Sequence, residues 1–120
     1  MHVSQLVEII IIKEVFMVRV HNKLVRDNII EIIESDGRHA DYEILDDARY
    51  IEELEKKLAE EYKEYIEDHS LEEMCDMIEV IDALCKARGF SAEQIQKKRA
   101  QKNKKNGAFK NKIYLKKVED

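Results

Sequence analysis

The chain has 120 residues and a formal net charge of −5, with 44% hydrophobic and 39% charged residues, three glycines and no proline. That length suits one domain with a single core, marginal as a lone monomer and helped by oligomerisation. The composition excludes disordered and fibrous classes and fits a soluble helical protein with few turns.

At the N-terminus, an apolar run from Val7 to Val20 is interrupted by Glu8, Lys13, Glu14 and Arg19. It falls short of the ~18 uncharged residues a spanning helix needs, so no membrane span is expected. Met17 offers a second start. Residues 1–20 are therefore read as an N-terminal extension and residues 21–120 as the domain. From Val25 onward, Ile29, Ile30, Ile32 and Ile33 have helical spacing, with Asp27 placed to cap the start and Gly37 to close the end. Residues 38–45 lack a sustained period and read as a connection. Asp46 and Asp47 are N-caps for a second helix reaching about Glu67, in which Ile51, Leu54, Leu58, Tyr62 and Tyr65 share a face. Asp68, His69 and Ser70 break the pattern before a third helix, Leu71 to Ala87, which Gly89 stops.

So short a link makes the second and third helices an antiparallel hairpin. Ser91 and Gln94 form a capping box that opens a fourth, basic helix running towards Gly107. Beyond it Phe109, Ile113 and Leu115 alternate as a strand or extended strap packing one face would. The expected fold is all-α: a helical bundle round an antiparallel acidic helix hairpin, with a short C-terminal extended segment. Cys75 and Cys85 lie ten apart on one helix, ~15 Å between Cα atoms and too far to bridge. They are expected to be reduced core residues. With no secretory leader in view, the expected location is the cytoplasm.

The third helix is the informative one. Between Leu71 and Cys85 its polar residues are Glu72, Glu73, Asp76, Glu79 and Asp82, with no basic residue among them. A helix apolar round most of its circumference is expected to be largely buried, and buried carboxylates are costly unless protonated, paired or bound to metal. On the second helix Glu60, Glu61 and Glu64 form a matching set. Counted from the turn, Glu64 stands level with Glu73 and Glu61 with Asp76, about one packing distance of 8–10 Å apart. Four carboxylates with no His or Cys beside them make a hard oxygen site that selects Mg²⁺ or Mn²⁺ over Zn²⁺. Mg²⁺ is usually completed by water and substrate phosphates, so a polyphosphate ligand is expected. The competing interpretation is plain surface acidity, since Glu-x-x-Glu is common on solvent-facing helices.

These residues resemble the MazG-like superfamily of all-α nucleoside triphosphate pyrophosphohydrolases, whose signature is Glu-Glu-x-x-Glu followed by Glu-x-x-Asp on the next helix. Glu60, Glu61 and Glu64, then Glu73 and Asp76, match it. The run Asn22 to Asp27 and the pair Lys102 with Gly107-x-Phe109 resemble the opening and closing motifs of a subgroup of house-cleaning, phosphoribosyl-ATP pyrophosphohydrolase-like enzymes. The resemblance covers about residues 21 to 116. It implies hydrolysis between the α and β phosphates to a monophosphate and pyrophosphate, by a metal-activated water. It also implies metal binding by Glu61, Glu64, Glu73 and Asp76, and catalytic roles for Glu60, Glu61 and Glu64, with Glu60 orienting a ligand or serving as base. This chain departs from the subgroup at Asn28-Ile29-Ile30 and at Asn106 and Ala108, and the eight residues between Glu64 and Glu73 are fewer than in many MazG-like proteins.

Lys23 and Arg26 precede the first helix, where they can reach a phosphate or pair with a carboxylate of the hairpin. Between Lys97 and Lys117 lie ten basic residues and no acidic one. Most are read as a solvated face balancing the hairpin, with Lys102 the best candidate for a phosphate contact. Net negative charge and an acidic hairpin disfavour nucleic acid as a partner. The expected partners are a nucleoside triphosphate and a second copy of the chain, as a dimer. Two other functions remain: phosphoribosyl-ATP pyrophosphohydrolase, and a non-catalytic helical module that binds nucleic acid or a partner helix. His21, His39 and His69 are read as surface residues, Tyr62 and Tyr65 as part of the apolar stripe, and Cys75 as packing.

Overall fold

Four helices and one two-stranded ribbon make up the regular structure in a computed structural model that describes residues 9–13 and 16–120. Contacts divide the chain into two units, one ending at Arg88 and the other beginning at Gly89.

The first unit opens with strands β1 (Ile9–Lys13) and β2 (Phe16–Val20), paired antiparallel with Ile9 opposite Val20 and Lys13 opposite Phe16. The sequence reading assigned no element to this segment, and the structure places a ribbon there. Both strands are rich in β-branched and aromatic residues, which favour a pleated backbone whatever their hydropathy. The described chain is nevertheless mostly helical.

Helix α1 (Ile29–Ser35) is seven residues long and buries Ile29. Asn28, not Asp27, occupies its N-cap position, and no side chain caps it. Asp27 instead falls in a turn closed by the Ile29 N–H donating to the Arg26 carbonyl at 3.1 Å. The C-terminal end closes as expected: Gly37 adopts a left-handed φ of 80° and donates to the Glu34 carbonyl at 3.0 Å.

Helix α2 (Asp47–Asp68) is capped by Asp46, whose carboxylate accepts from the Arg49 N–H at 2.8 Å. Helix α3 (Leu71–Ala87) is capped by Ser70, whose hydroxyl accepts from the Glu73 N–H at 3.2 Å. Only His69 and Ser70 separate the two helices. His69 supplies the reversal with a left-handed φ of 53°, and its N–H donates to the Tyr65 carbonyl at 2.7 Å. The two helices fold back and pack on one another.

Among the described apolar residues only Ile29 and Leu54 are buried. Helix α3 was expected to be largely buried, yet Leu71 is 80% exposed and Ile78 57%, and Cys75 is exposed rather than in a core. Tyr62 on α2 is likewise exposed, not part of a buried stripe. Among the described residues of the first unit, α3 packs substantially only on α2, which leaves Leu71, Cys75 and Ile78 outside that contact.

In the second unit, helix α4 (Ala92–Asn106) begins at Ser91 with both halves of the capping box made. The Gln94 N–H donates to Ser91 Oγ at 3.1 Å, and the Ser91 N–H to Gln94 Oε1 at 2.8 Å. A turn follows near Lys112, and the rest of the tail forms no strand. Phe109, Ile113 and Leu115 are exposed, which corrects the expectation that they pack one face. Alternation specifies a buried face only where a neighbouring surface receives it.

Candidate metal centre

The α2–α3 hairpin brings four carboxylates together. Glu61 and Glu64 stand three positions apart on α2, Glu73 and Asp76 three apart on α3, and the two-residue link sets their relative height. One oxygen from each of the four lies within 4.8 Å of the others. The Ser70 cap holds the first turn of α3, the turn that carries Glu73.

This cluster is not surface acidity. Glu61, Glu64 and Glu73 are 6%, 2% and 0% exposed, and Asp76 is half-buried. Glu61 Oε2 and Glu64 Oε2 are buried and accept no hydrogen bond. Burying an ionised carboxylate costs several kcal/mol unless a cation or proton compensates. Burial, followed by hydrogen bonding and repulsion from Glu61 and then Glu73, pushes Glu64 up to about 9. At neutral pH Glu64 therefore keeps its proton in the metal-free chain.

The donor set decides what can replace that proton. It consists of carboxylate oxygens with no imidazole or thiolate in the quartet, which suits a hard divalent cation. The quartet can hold a metal ion, and its buried oxygens without hydrogen bonds are what such an ion would satisfy.

The other expected site residues take different positions. Glu60 lies outside the quartet, and its Oε1 accepts from Lys23 Nζ at 2.7 Å. Arg26 reaches the quartet itself, donating from Nη2 to Asp76 Oδ1 at 2.8 Å. Lys23 and Arg26 thus engage acids of the hairpin, one on each helix. Lys102 belongs to the second unit, where it lines a cleft of about 300 Å³ with Arg99, Asn103, Asn106, Gly107 and Phe109.

Lys57 was not singled out from sequence. Its Nζ lies 3.6 Å from Glu61 Oε1 and 3.9 Å from Glu60 Oε1, and it lines a cleft of about 170 Å³ with Lys23, Lys56 and Glu60. The signal was present, because positions 57, 60 and 61 have the i, i+3, i+4 spacing that puts side chains on one helix face. Of the histidines, His39 and His69 are exposed, the latter meeting Tyr65 edge-on at 5.3 Å. His21 is half-buried rather than on the surface, and its Nδ1 makes no hydrogen bond.

A mostly helical chain with a buried carboxylate quartet defines a candidate metal-binding protein. No known family, characterised protein or solved structure matches it. No described helix is long and apolar enough to cross a membrane.

Proposed function

We propose that this chain is a MazG-like, metal-dependent nucleoside triphosphate pyrophosphohydrolase that cleaves the α–β phosphoanhydride to a monophosphate and pyrophosphate. The observation that carries the proposal is the buried quartet of Glu61, Glu64, Glu73 and Asp76, built by two helices at the spacing of the family's two motifs. These four side chains would hold Mg²⁺ or Mn²⁺. When bound, the cation supplies charge neutralisation for the polyphosphate and lowers the pKa of a water. Glu60 stands beside the quartet, fixed by Lys23, as the carboxylate to orient that water or accept its proton. The water oxygen forms the new bond to phosphorus, the bridging bond breaks, and pyrophosphate leaves. A house-cleaning role on modified nucleotides, in a cytoplasmic setting, is the biological context we infer.

The deciding assay incubates purified protein with Mg²⁺ and a panel of normal and modified nucleoside triphosphates plus phosphoribosyl-ATP, measuring pyrophosphate separately from orthophosphate. Pyrophosphate release abolished by EDTA is the expected result. Turnover of phosphoribosyl-ATP alone would assign the chain to that narrower reaction. No release from any substrate would sink the hydrolase reading.

The second unit favours one rival. Its stretch from Lys97 to Lys117 carries ten basic residues and no acid, and Phe90, Phe109 and Tyr114 are exposed within the unit. A nucleic-acid-binding module would show affinity for single strands that falls steeply with salt and does not depend on Mg²⁺.

The proposed working form is a dimer. Tyr62, Ile66, Leu71, Ile78 and Ile81 are exposed on the hairpin while only two described apolar residues are buried, so a second copy would complete the core. Light scattering is expected to return twice the chain mass of 14.2 kDa. Ile78→Glu is expected to shift the protein to monomer, and a wild-type monomer at micromolar concentration would refute the assembly.

A further inference from the structure

Arg26 already supplies positive charge to one corner of the quartet through its 2.8 Å bond to Asp76. Three residues earlier, Lys23 makes the corresponding contact to Glu60, which is not a quartet member. The two pairs differ in burial. The Lys23 side chain is 12% exposed and that of Arg26 54%. The segment before α1 is thus anchored through Lys23, while Arg26 sits at the rim in an exposed pair, a type of contact that is weak and easily exchanged.

A guanidinium on one carboxylate cannot serve the buried oxygens of Glu61 and Glu64, which accept no hydrogen bond. A cation seated among all four acids would serve them, and it would draw on the same Asp76 charge that Arg26 now uses. Two positive groups then compete for one carboxylate, and the exposed one can leave. Once released, a planar guanidinium tethered beside the site is suited to bidentate contact with phosphate.

Building on the metal-dependent reading above, we propose that Arg26 is a resident stand-in cation: it competes with the metal for Asp76 and, once displaced, presents its guanidinium to the phosphates of the substrate. Arg26 then opposes metal binding and assists nucleotide binding, and the metal enters first. A residue that merely positioned Asp76 would do the reverse at the first step, because its loss would weaken the metal.

The test is calorimetric titration of Mn²⁺ into the metal-free full chain at pH 7.5, for wild type, Arg26→Gln and Arg26→Lys. Each Mn²⁺-saturated protein is then titrated with an α,β-methylene nucleoside triphosphate, which cannot be cleaved at that bond. Arg26→Gln is expected to bind Mn²⁺ about fivefold tighter, the scale of an exposed ion pair removed, and the analogue at least about tenfold weaker. Arg26→Lys should fall between the two in both titrations, and it carries the comparison if circular dichroism shows Arg26→Gln unfolded. Unchanged or weaker Mn²⁺ binding in the variants, or undiminished analogue binding, overturns the stand-in role. Absence of Mn²⁺ binding to wild type overturns the metal centre itself and is distinguishable from either.

Discussion

Glu64→Gln is expected to stabilise the metal-free protein while lowering Mg²⁺-dependent turnover by ~10³-fold or more. Both effects have one cause. Glutamine imitates the protonated carboxyl that Glu64 carries at neutral pH, so the folded state keeps a similar neutral group. The unfolded state loses the favourable ionisation that an ordinary glutamate gains above its usual pKa. With the folded value raised to about 9 from 4.5, the gain at pH 7 is on the order of 3 kcal/mol, and it nearly vanishes by pH 4, where both states are mostly protonated. Urea unfolding at pH 7 and pH 4, with EDTA present, measures it. Equal or lower stability at pH 7 would mean that Glu64 is compensated by something other than a proton.

Metal affinity is expected to climb with pH and metal uptake to expel a proton. Glu64 has its folded pKa above the unfolded one, so the metal-free chain loses stability as pH rises from the ordinary carboxylate range towards about 9. A cation needs the ionised form and must displace that proton. Between pH 6 and pH 8 the apparent Mn²⁺ affinity should therefore rise by about 100-fold for one proton exchanged. Added stabilisation at a fixed metal concentration should follow, at about 2.7 kcal/mol when the metal is 100 times its dissociation constant. Calorimetry in buffers of different ionisation enthalpy counts the protons directly. Affinity that stays flat across those two pH units would show that the cation binds elsewhere or leaves Glu64 protonated.

Sequence reasoning located the quartet because a helical hairpin turns spacing into geometry. Once Asp68, His69 and Ser70 are read as the break between the helices, equal counts outward along α2 and α3 bring Glu64 to Glu73 and Glu61 to Asp76, and the structure gathers all four. The Asp46 and Ser91 caps were legible for a related reason, since capping is decided within a few residues. Asp27 shows the limit of that rule: the backbone turn at Arg26–Ile29 places Asn28 at the cap position instead. The partner of Arg26 stands 50 residues away, beyond what any local spacing encodes. Burial on α3 was misread because apolar character shows which surfaces favour leaving water, not whether this chain alone supplies the neighbour. Phe109, Ile113 and Leu115 on the tail failed in the same way, as alternation without a receiving sheet.

The two-residue link between α2 and α3 acts as a ruler, and this constrains how the protein can vary. One residue added or lost within either helix, between the link and a quartet acid, would turn that acid by about 100° and move it by about 1.5 Å. His69 and Ser70 can in principle be exchanged for other residues able to reverse and cap the chain. The count of residues within each helix, from the link to a quartet acid, cannot drift by one in the same way. Substitutions should therefore accumulate along the hairpin more readily than single-residue insertions or deletions inside its helices, and changes of length should fall in the link or come as whole turns that keep the acids in phase.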